Sequence, residues 1–256
     1  MRTSSAAGPA GAQHTRSRPG RRAAACYLCP MTGATRWLVT GANRGIGREL
    51  VRQLEARGDA VVAVVRNPDS LAAAPGREVI ACDVADPAAV ARLAATLGGG
   101  ALDVVVNNAG VWPDDGQALG GLDFDELARC FAINALAPLR VAEALLPALR
   151  RGRLKKLAHL SSGMASIADN TSGGWYGYRM AKAALNMASR SLARDLAAEG
   201  IWSAVIDPGW VQTDMGGRAA PTPVADSARG VLAQIDRLDA RTSGGFLHWQ
   251  GGTTPW

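Results

Sequence analysis

Thr40-Gly41-Ala42-Asn43-Arg44-Gly45-Ile46-Gly47 stands between a short apolar run at 37–40 and a segment with helical spacing through Ile46, Leu50, Val51 and Leu54. Glycines at such a strand-to-helix turn let the backbone approach a pyrophosphate, whose charge the following helix N-terminus stabilises. Outward from this turn the chain alternates. Residues 60–65, Ala-Val-Val-Ala-Val-Val, read as a strand buried on both faces, and 78–81 as a third strand. A helix over 87–97 has Asp86 as its N-cap. Strands follow at 102–106, 154–160, 202–206 and 245–249, and helices at 124–149 (interrupted at Pro138 and Pro147), 176–199 and 224–238. Strand–helix alternation means parallel pairing with right-handed crossovers. The fold class is therefore α/β: a Rossmann-like doubly wound parallel sheet of about seven strands, flanked by helices, in one domain spanning 36–256.

The chain has 256 residues and a formal charge of +6. Residues 1–36 hold six arginines and no acid, while the other 220 carry 22 bases and 22 acids. The basic balance thus belongs to the start of the chain, which gives no reason to expect a nucleic-acid groove in the body. Residues 1–35 read as a flexible basic extension rich in Ser, Ala, Gly, Pro and Arg. Its apolar stretch is too short for a secretory signal. A targeting segment and a non-functional extension ahead of a start at Met31 both remain, the second being favoured. Cys26 and Cys29 form a lone C-x-x-C there, and no metal site is expected. Charged residues, Gly or Pro interrupt every apolar stretch, so no membrane partner is expected. Cys82 and Cys130 in apolar surroundings fit buried thiols and a cytoplasmic location.

At the end of the second strand an acid would hydrogen-bond the ribose 2′-hydroxyl of NAD. Arg66 stands there instead, 19 positions after Gly47. A guanidinium suits a 2′-phosphate, and Arg44 can approach the same group from the Gly-rich turn. NADP(H) is the preferred cofactor on this reading, with NAD(H) possible.

The sequence from 36 onward resembles the short-chain dehydrogenase/reductase family. The likeness rests on TGANRGIG (40–47), Asp83, NNAG (107–110), Asn134, Ser161-Ser162, Tyr178-Arg-Met-Ala-Lys182, and Pro208-Gly209 with Thr213. SIADNTSGGWYGYRMAKAALN, DPGWVQTDMGG and the terminal GGTTPW are similar to the C-factor/sniffer-like carbonyl reductases within it. The resemblance implies an oxidoreductase that reduces an aldehyde or ketone, or runs in reverse, with Tyr178 as general acid/base. Lys182, four residues on and on the same helical face, would lower the phenol pKa and hold the nicotinamide ribose. Ser162 would hydrogen-bond the substrate carbonyl, with Ser161 as its substitute, and Asn134 would anchor a proton-relay water. Gly41, Asn43, Arg44, Gly45, Ile46 and Gly47 would hold the pyrophosphate side. Asp83 and Val84 would flank the adenine, and Asn107, Ala109 and Gly110 would line the ribose through backbone contacts. Pro208, Gly209, Val211 and Thr213 would hold the carboxamide. Ser162 precedes Tyr178 by 16 positions, longer than the commonest family spacing, and Asp207 before Pro208 stands where related sequences often differ.

Trp112, Met164, Trp175, Trp210 and Met215 fall in loops at the carboxyl ends of strands and suggest an apolar, aromatic-lined pocket for a small carbonyl or alcohol substrate. They also fit packing anchors. Residues 214–226 read as a lid. The outer faces of 124–149 and 176–199 point to a homodimer or homotetramer. The alternative function is an NADP(H)-binding redox sensor or regulatory protein with little turnover.

Overall fold

The computed structural model describes residues 34–72, 74–113 and 118–256. Seven parallel strands form one sheet, in the order β3-β2-β1-β4-β5-β6-β7. They are β1 (Arg36–Thr40), β2 (Ala60–Val65), β3 (Arg77–Ala81), β4 (Val104–Asn107), β5 (Lys156–Leu160), β6 (Trp202–Asp207) and β7 (Phe246–His248). The helices are α1 (Gly45–Ala56), α2 (Pro87–Leu97), α3 (Phe124–Phe131), α4 (Ala137–Arg151), α5 (Tyr176–Asp195) and α6 (Val224–Arg237). Alternate residues of each central strand enter opposite cores, so both faces are covered. Trp37, Val39, Val104 and Val106 pack with Leu50, Leu54, Val231 and Ile235 of α1 and α6. Leu38, Val62, Val64 and Val105 pack with Leu93, Val141 and Leu145 of α2 and α4. The strand order turns back on itself between β1 and β4, and the loops at the carboxyl ends of these strands make the crevice where ligands of such sheets bind.

The reading of the N-terminal extension, with Cys26 and Cys29, lies outside the described residues. Asp86 caps α2 as expected, its side chain accepting from Ala88 N–H. The long helix breaks earlier than its prolines suggest. A π-helical turn at Ala132–Leu136 separates α3 from α4; Pro138 lies in the first turn of α4, and Pro147 is accommodated inside it. Contrary to expectation, Phe124–Arg151 is long and apolar enough to pass for a membrane span by length and hydropathy. Half of it is buried in the fold, as befits the core helix of a globular domain.

A polar chain crosses the buried face of three strands. Asn107 Nδ2 donates to Pro138 O and to His159 Nδ1, both at 3.2 Å, and His159 Nε2 faces Ser203 Oγ at 3.4 Å. Nδ1 is thus an acceptor and Nε2 carries the proton, the arrangement of a neutral imidazole. Burial lowers the His159 pKa to about 3, with the Lys182 charge adding to the effect. Below pH 6.5 the unfolded chain binds a proton that the native state refuses, so stability falls as pH drops from about 6.5 toward 3. Between pH 7 and 4.5, urea unfolding of the wild type is predicted to lose about 2–3 kcal/mol more than His159→Asn. Equal losses would show that another group governs acid sensitivity.

Candidate active site

The Gly-rich turn is held by residues from the neighbouring strand. Thr40 Oγ1 accepts the backbone N–H groups of Asn108 and Ala109, each at 3.0 Å. Asn108 Nδ2 donates back to Thr40 O at 2.8 Å and Gly41 O at 3.1 Å. Sequence reasoning missed Asn108 and named Asn107 instead. Asn107, expected to meet the ribose through its backbone, lies in β4 with its side chain turned into the sheet toward His159 and is not among the cleft-lining residues. Strand alternation carried the missing signal, since adjacent strand residues face opposite ways.

One continuous cleft runs along the carboxyl ends of the strands. It is lined by Gly41, Asn43, Arg44, Gly45 and Ile46 from the turn, by Arg66 beyond β2, and by Asp83 and Val84 beyond β3. Ala109 and Gly110 follow β4, and Pro208, Thr213 and Met215 follow β6. Asn134, Tyr178 and Lys182 close its far end. The cleft also takes in Cys82, Val111, Ile133 and Asp214, which sequence reasoning did not name. Gly47, Gly209 and Val211 are not among the lining residues. Gly47 is needed for close approach: a Cβ there would lie 2.3 Å from both Gly41 O and Asn108 Nδ2. Arg66 is exposed and forms no ion pair among the described residues, while Arg44 reaches Asp214 at 3.4 Å across solvent. Such an exposed pair is worth little, and Arg44 is readily released from it. The glycine cradle, the helix N-terminus and two guanidinium groups fit a dinucleotide bearing a 2′-phosphate.

The chemical end of the cleft is built by α3, α5 and the turn after β5. Asn134 sits in the π-helical turn, where its amide pairs with the backbone of Val111: Nδ2 donates to Val111 O at 2.9 Å and Oδ1 accepts Val111 N–H at 3.0 Å. Gly110 lies against this amide, for a Cβ there would come within 2.9 Å of Asn134 Oδ1. Ser162 begins a short 3₁₀ turn, its Oγ accepting Met164 N–H, and its side chain also hydrogen-bonds Tyr178. Ser161 lines the cleft, but its hydroxyl is engaged, donating to Asn186 Oδ1 at 2.6 Å. Lys182 Nζ donates to Leu160 O at 2.7 Å and lies 5.8 Å from the centre of the Tyr178 ring.

Burial governs the charges here. Desolvation lowers the Lys182 pKa to about 8 and pushes the Tyr178 phenol well above its ordinary value. The expectation that Lys182 lowers the phenol pKa is therefore not met in this arrangement. Burial outweighs the Ser162 hydrogen bond, the group that acts to lower it, and the Asp207 charge adds to the rise. The phenol stays protonated, the form in which it can give a proton.

The five residues assigned to the substrate pocket divide. Met215 lines the cleft. Trp112 packs 4.7 Å from both the Tyr178 and Trp175 rings, and Met164 joins the same cluster around Tyr178 and Cys130. Trp210 is exposed, with its indole N–H bound to Gly216 O. The segment read as a lid, 214–226, is tied back to the residues just before it, through the Val211–Thr222 bridge and the Gln212 Nε2 bond to Ala220 O.

This fold and cleft define an oxidoreductase that uses a nicotinamide dinucleotide. The chain belongs to the short-chain dehydrogenase/reductase family. Residues 41–237 match the family model described as "Enoyl-(Acyl carrier protein) reductase". The chain is 53% identical over 160 residues to the C-signal protein of Myxococcus xanthus, covering 61% of this chain and 94% of that one. Among solved structures it is similar to the carbonyl reductase Sniffer of D. melanogaster, with TM-score 0.80, 30% identity, 88% of this chain and 100% of that one. It is equally similar to an NADPH-bound carbonyl reductase from chicken fatty liver, with TM-score 0.80, 30% identity, 87% of this chain and 99% of that one. These likenesses support NADP(H) binding in the cleft.

Gly47→Ala is predicted to destabilise the protein by roughly 1–3 kcal/mol and to weaken NADPH binding at least about tenfold, because backbone bounds the space its methyl needs. Gly99→Ala, where no atom lies within 4 Å, serves as the control in calorimetric titration and thermal melting.

Proposed function

We propose that this protein is an NADPH-dependent carbonyl reductase acting on small aldehydes or ketones. The observation that carries the reading is the convergence of Tyr178, Lys182 and Asn134 at one end of a dinucleotide-shaped cleft, with the Ser162 side chain hydrogen-bonded to Tyr178. Bound nicotinamide supplies the hydride. Ser162 and Tyr178 share a hydrogen bond, so a carbonyl oxygen placed between them receives two donors and is polarised. Tyr178 gives its proton to that oxygen as negative charge develops on it. Lys182, charged below about pH 8, stands over the Tyr178 ring, 5.8 Å from its centre, placed to hold the nicotinamide ribose as the family likeness implies. Asn134 fixes the loop at Val111 beside Lys182 and holds the position of the expected proton relay.

Tyr178→Phe is predicted to lower kcat by about 10²–10⁴-fold while leaving NADPH affinity nearly intact. Activity that survives would remove Tyr178 from the role of acid. For the cofactor, Arg66→Ala is predicted to weaken NADPH by about 10–100-fold and to leave NADH unaffected, the loss of one charge-assisted contact. Equal effects on both cofactors in a fluorescence titration would place the 2′-phosphate elsewhere. Cys82 and Cys130 are free and buried, which supports a reducing cytoplasmic setting. Leu136, Leu139, Met180 and Met187 are exposed on α4, α5 and the turn between α3 and α4, which supports a homodimer or homotetramer joined through these helices.

A second reading, a dinucleotide-binding regulatory protein with little turnover, draws on the likeness to C-signal. It expects tight NADPH binding with no oxidation of the cofactor across aldehydes, ketones, diketones and quinones.

A further inference from the structure

The segment between Ser162 and Tyr178 returns to α5 through an unfavourable stretch of backbone. Gly173, Gly174 and Trp175 have φ values of 64°, 64° and 52°, and Trp175 carries a side chain that this left-handed region resists. Such a conformation persists only where its neighbours hold it. Packing of the Trp175 ring on Trp112 is one hold. Arg179 is the other. Its backbone N–H donates to Trp175 O at 3.0 Å. Its side chain grips the segment near both ends: Nη1 donates to Met164 O at 3.2 Å, and Nη2 to Ser172 Oγ at 2.9 Å. Met164 is also the residue whose N–H Ser162 Oγ accepts, at 3.2 Å. A chain of contacts thus runs from Arg179 to Met164, from Met164 to Ser162, and from Ser162 to Tyr178.

Both acceptors of the guanidinium are neutral oxygens, so the contact depends on direction rather than on charge pairing. A guanidinium is planar and presents its donors at a fixed spacing, which sets the separation of the two groups it binds. Nε is buried and has no partner among the described residues. A side chain that only carried surface charge would keep that N–H in water. Here the loss is offset by the two bonds at the tip.

We infer that Arg179 is a positioning residue: it clamps the segment between Ser162 and Tyr178 and so keeps the Ser162 hydroxyl against that of Tyr178. Arg179 is not among the residues lining the cleft, and its effect passes through Met164 and Ser162. This rests on the reductase reading and deepens it, by naming what fixes the second donor to the carbonyl oxygen.

The test is a double-variant cycle, with NADPH and 4-nitrobenzaldehyde, over the wild type, Arg179→Met, Ser162→Ala and the two combined. Arg179→Met is expected to lower kcat about tenfold, a part of what losing a carbonyl donor costs, with NADPH affinity within about twofold of wild type. Beside Ser162→Ala the same change is expected to cost less than about twofold, because the group it positions is gone. Equal losses in both backgrounds, or NADPH affinity falling with kcat, are the marks of a general loss of packing and overturn the inference. Ser172→Ala, at an exposed position that does not threaten folding, repeats the cycle on the outer bond alone. It is expected to lower kcat about two- to fivefold in the wild type and not at all beside Ser162→Ala. An unchanged kcat in the wild type, or equal losses in both, overturns the inference.

Hydrogen exchange needs no turnover. The amides of Met164, Ala165 and Ser166 are bonded to Ser162 Oγ, Ser162 O and Gly163 O. In the NADP⁺-loaded protein, Arg179→Met is expected to speed their exchange at least about tenfold, with the amides of the Gly-rich turn unchanged. Uniform acceleration, or none at 164–166, overturns the inference. The expected pattern in a protein that reduces no carbonyl supports Arg179 while sinking the reductase reading.

Discussion

The hydroxyl of Thr40 accepts two backbone N–H groups from the end of β4, and Asn108 returns two donors to the carbonyls of Thr40 and Gly41. These four bonds clamp the carboxyl ends of the two strands between which the sheet order reverses. Without the clamp the Gly-rich turn would be an ordinary flexible connection, and the N-terminus of α1 would have no fixed target. With it, Gly47 is pressed against Gly41 O, and the turn has one shape only. Across the cleft, Gly110 and Val111 continue from the same end of β4 to meet Asn134, so a single strand end organises both the cofactor cradle and the chemical site.

Two opposing effects meet at the chemical end. Burial makes each interaction there stronger, yet it penalises every charged form, driving Lys182 toward neutrality and the Tyr178 phenol toward retention of its proton.

Strands, helices and the parallel sheet were legible because each depends on local pattern: β-branched runs, 3.6-residue spacing and Asp86 as a cap. That Tyr178 and Lys182 share one helix face was legible from their four-residue spacing, whereas their roles were implied only by the family motif. What escaped depends on contacts distant in sequence. Whether Asn107 or Asn108 faces the cleft follows from the pairing of β4 with β5, which brings His159 opposite Asn107. The π-helical turn at Ala132–Leu136 lies ahead of the prolines, where the Asn134 side chain pairs with Val111, and no propensity encodes that. Trp112 and Met164 could be placed in loops from sequence, but their packing onto Tyr178 could not.

The pairing of Asn134 with Val111 has the form of a strand contact made by a side chain. The carboxamide presents one donor and one acceptor in a plane, as a peptide unit does, and Val111 reads it as a neighbouring strand. The helix thus offers the loop at Val111 a single residue of edge, made of side chain and so erasable by one substitution. Aspartate has the same outline but no donor, and would set an anion against Val111 O. The identity of this position is fixed by hydrogen-bond polarity.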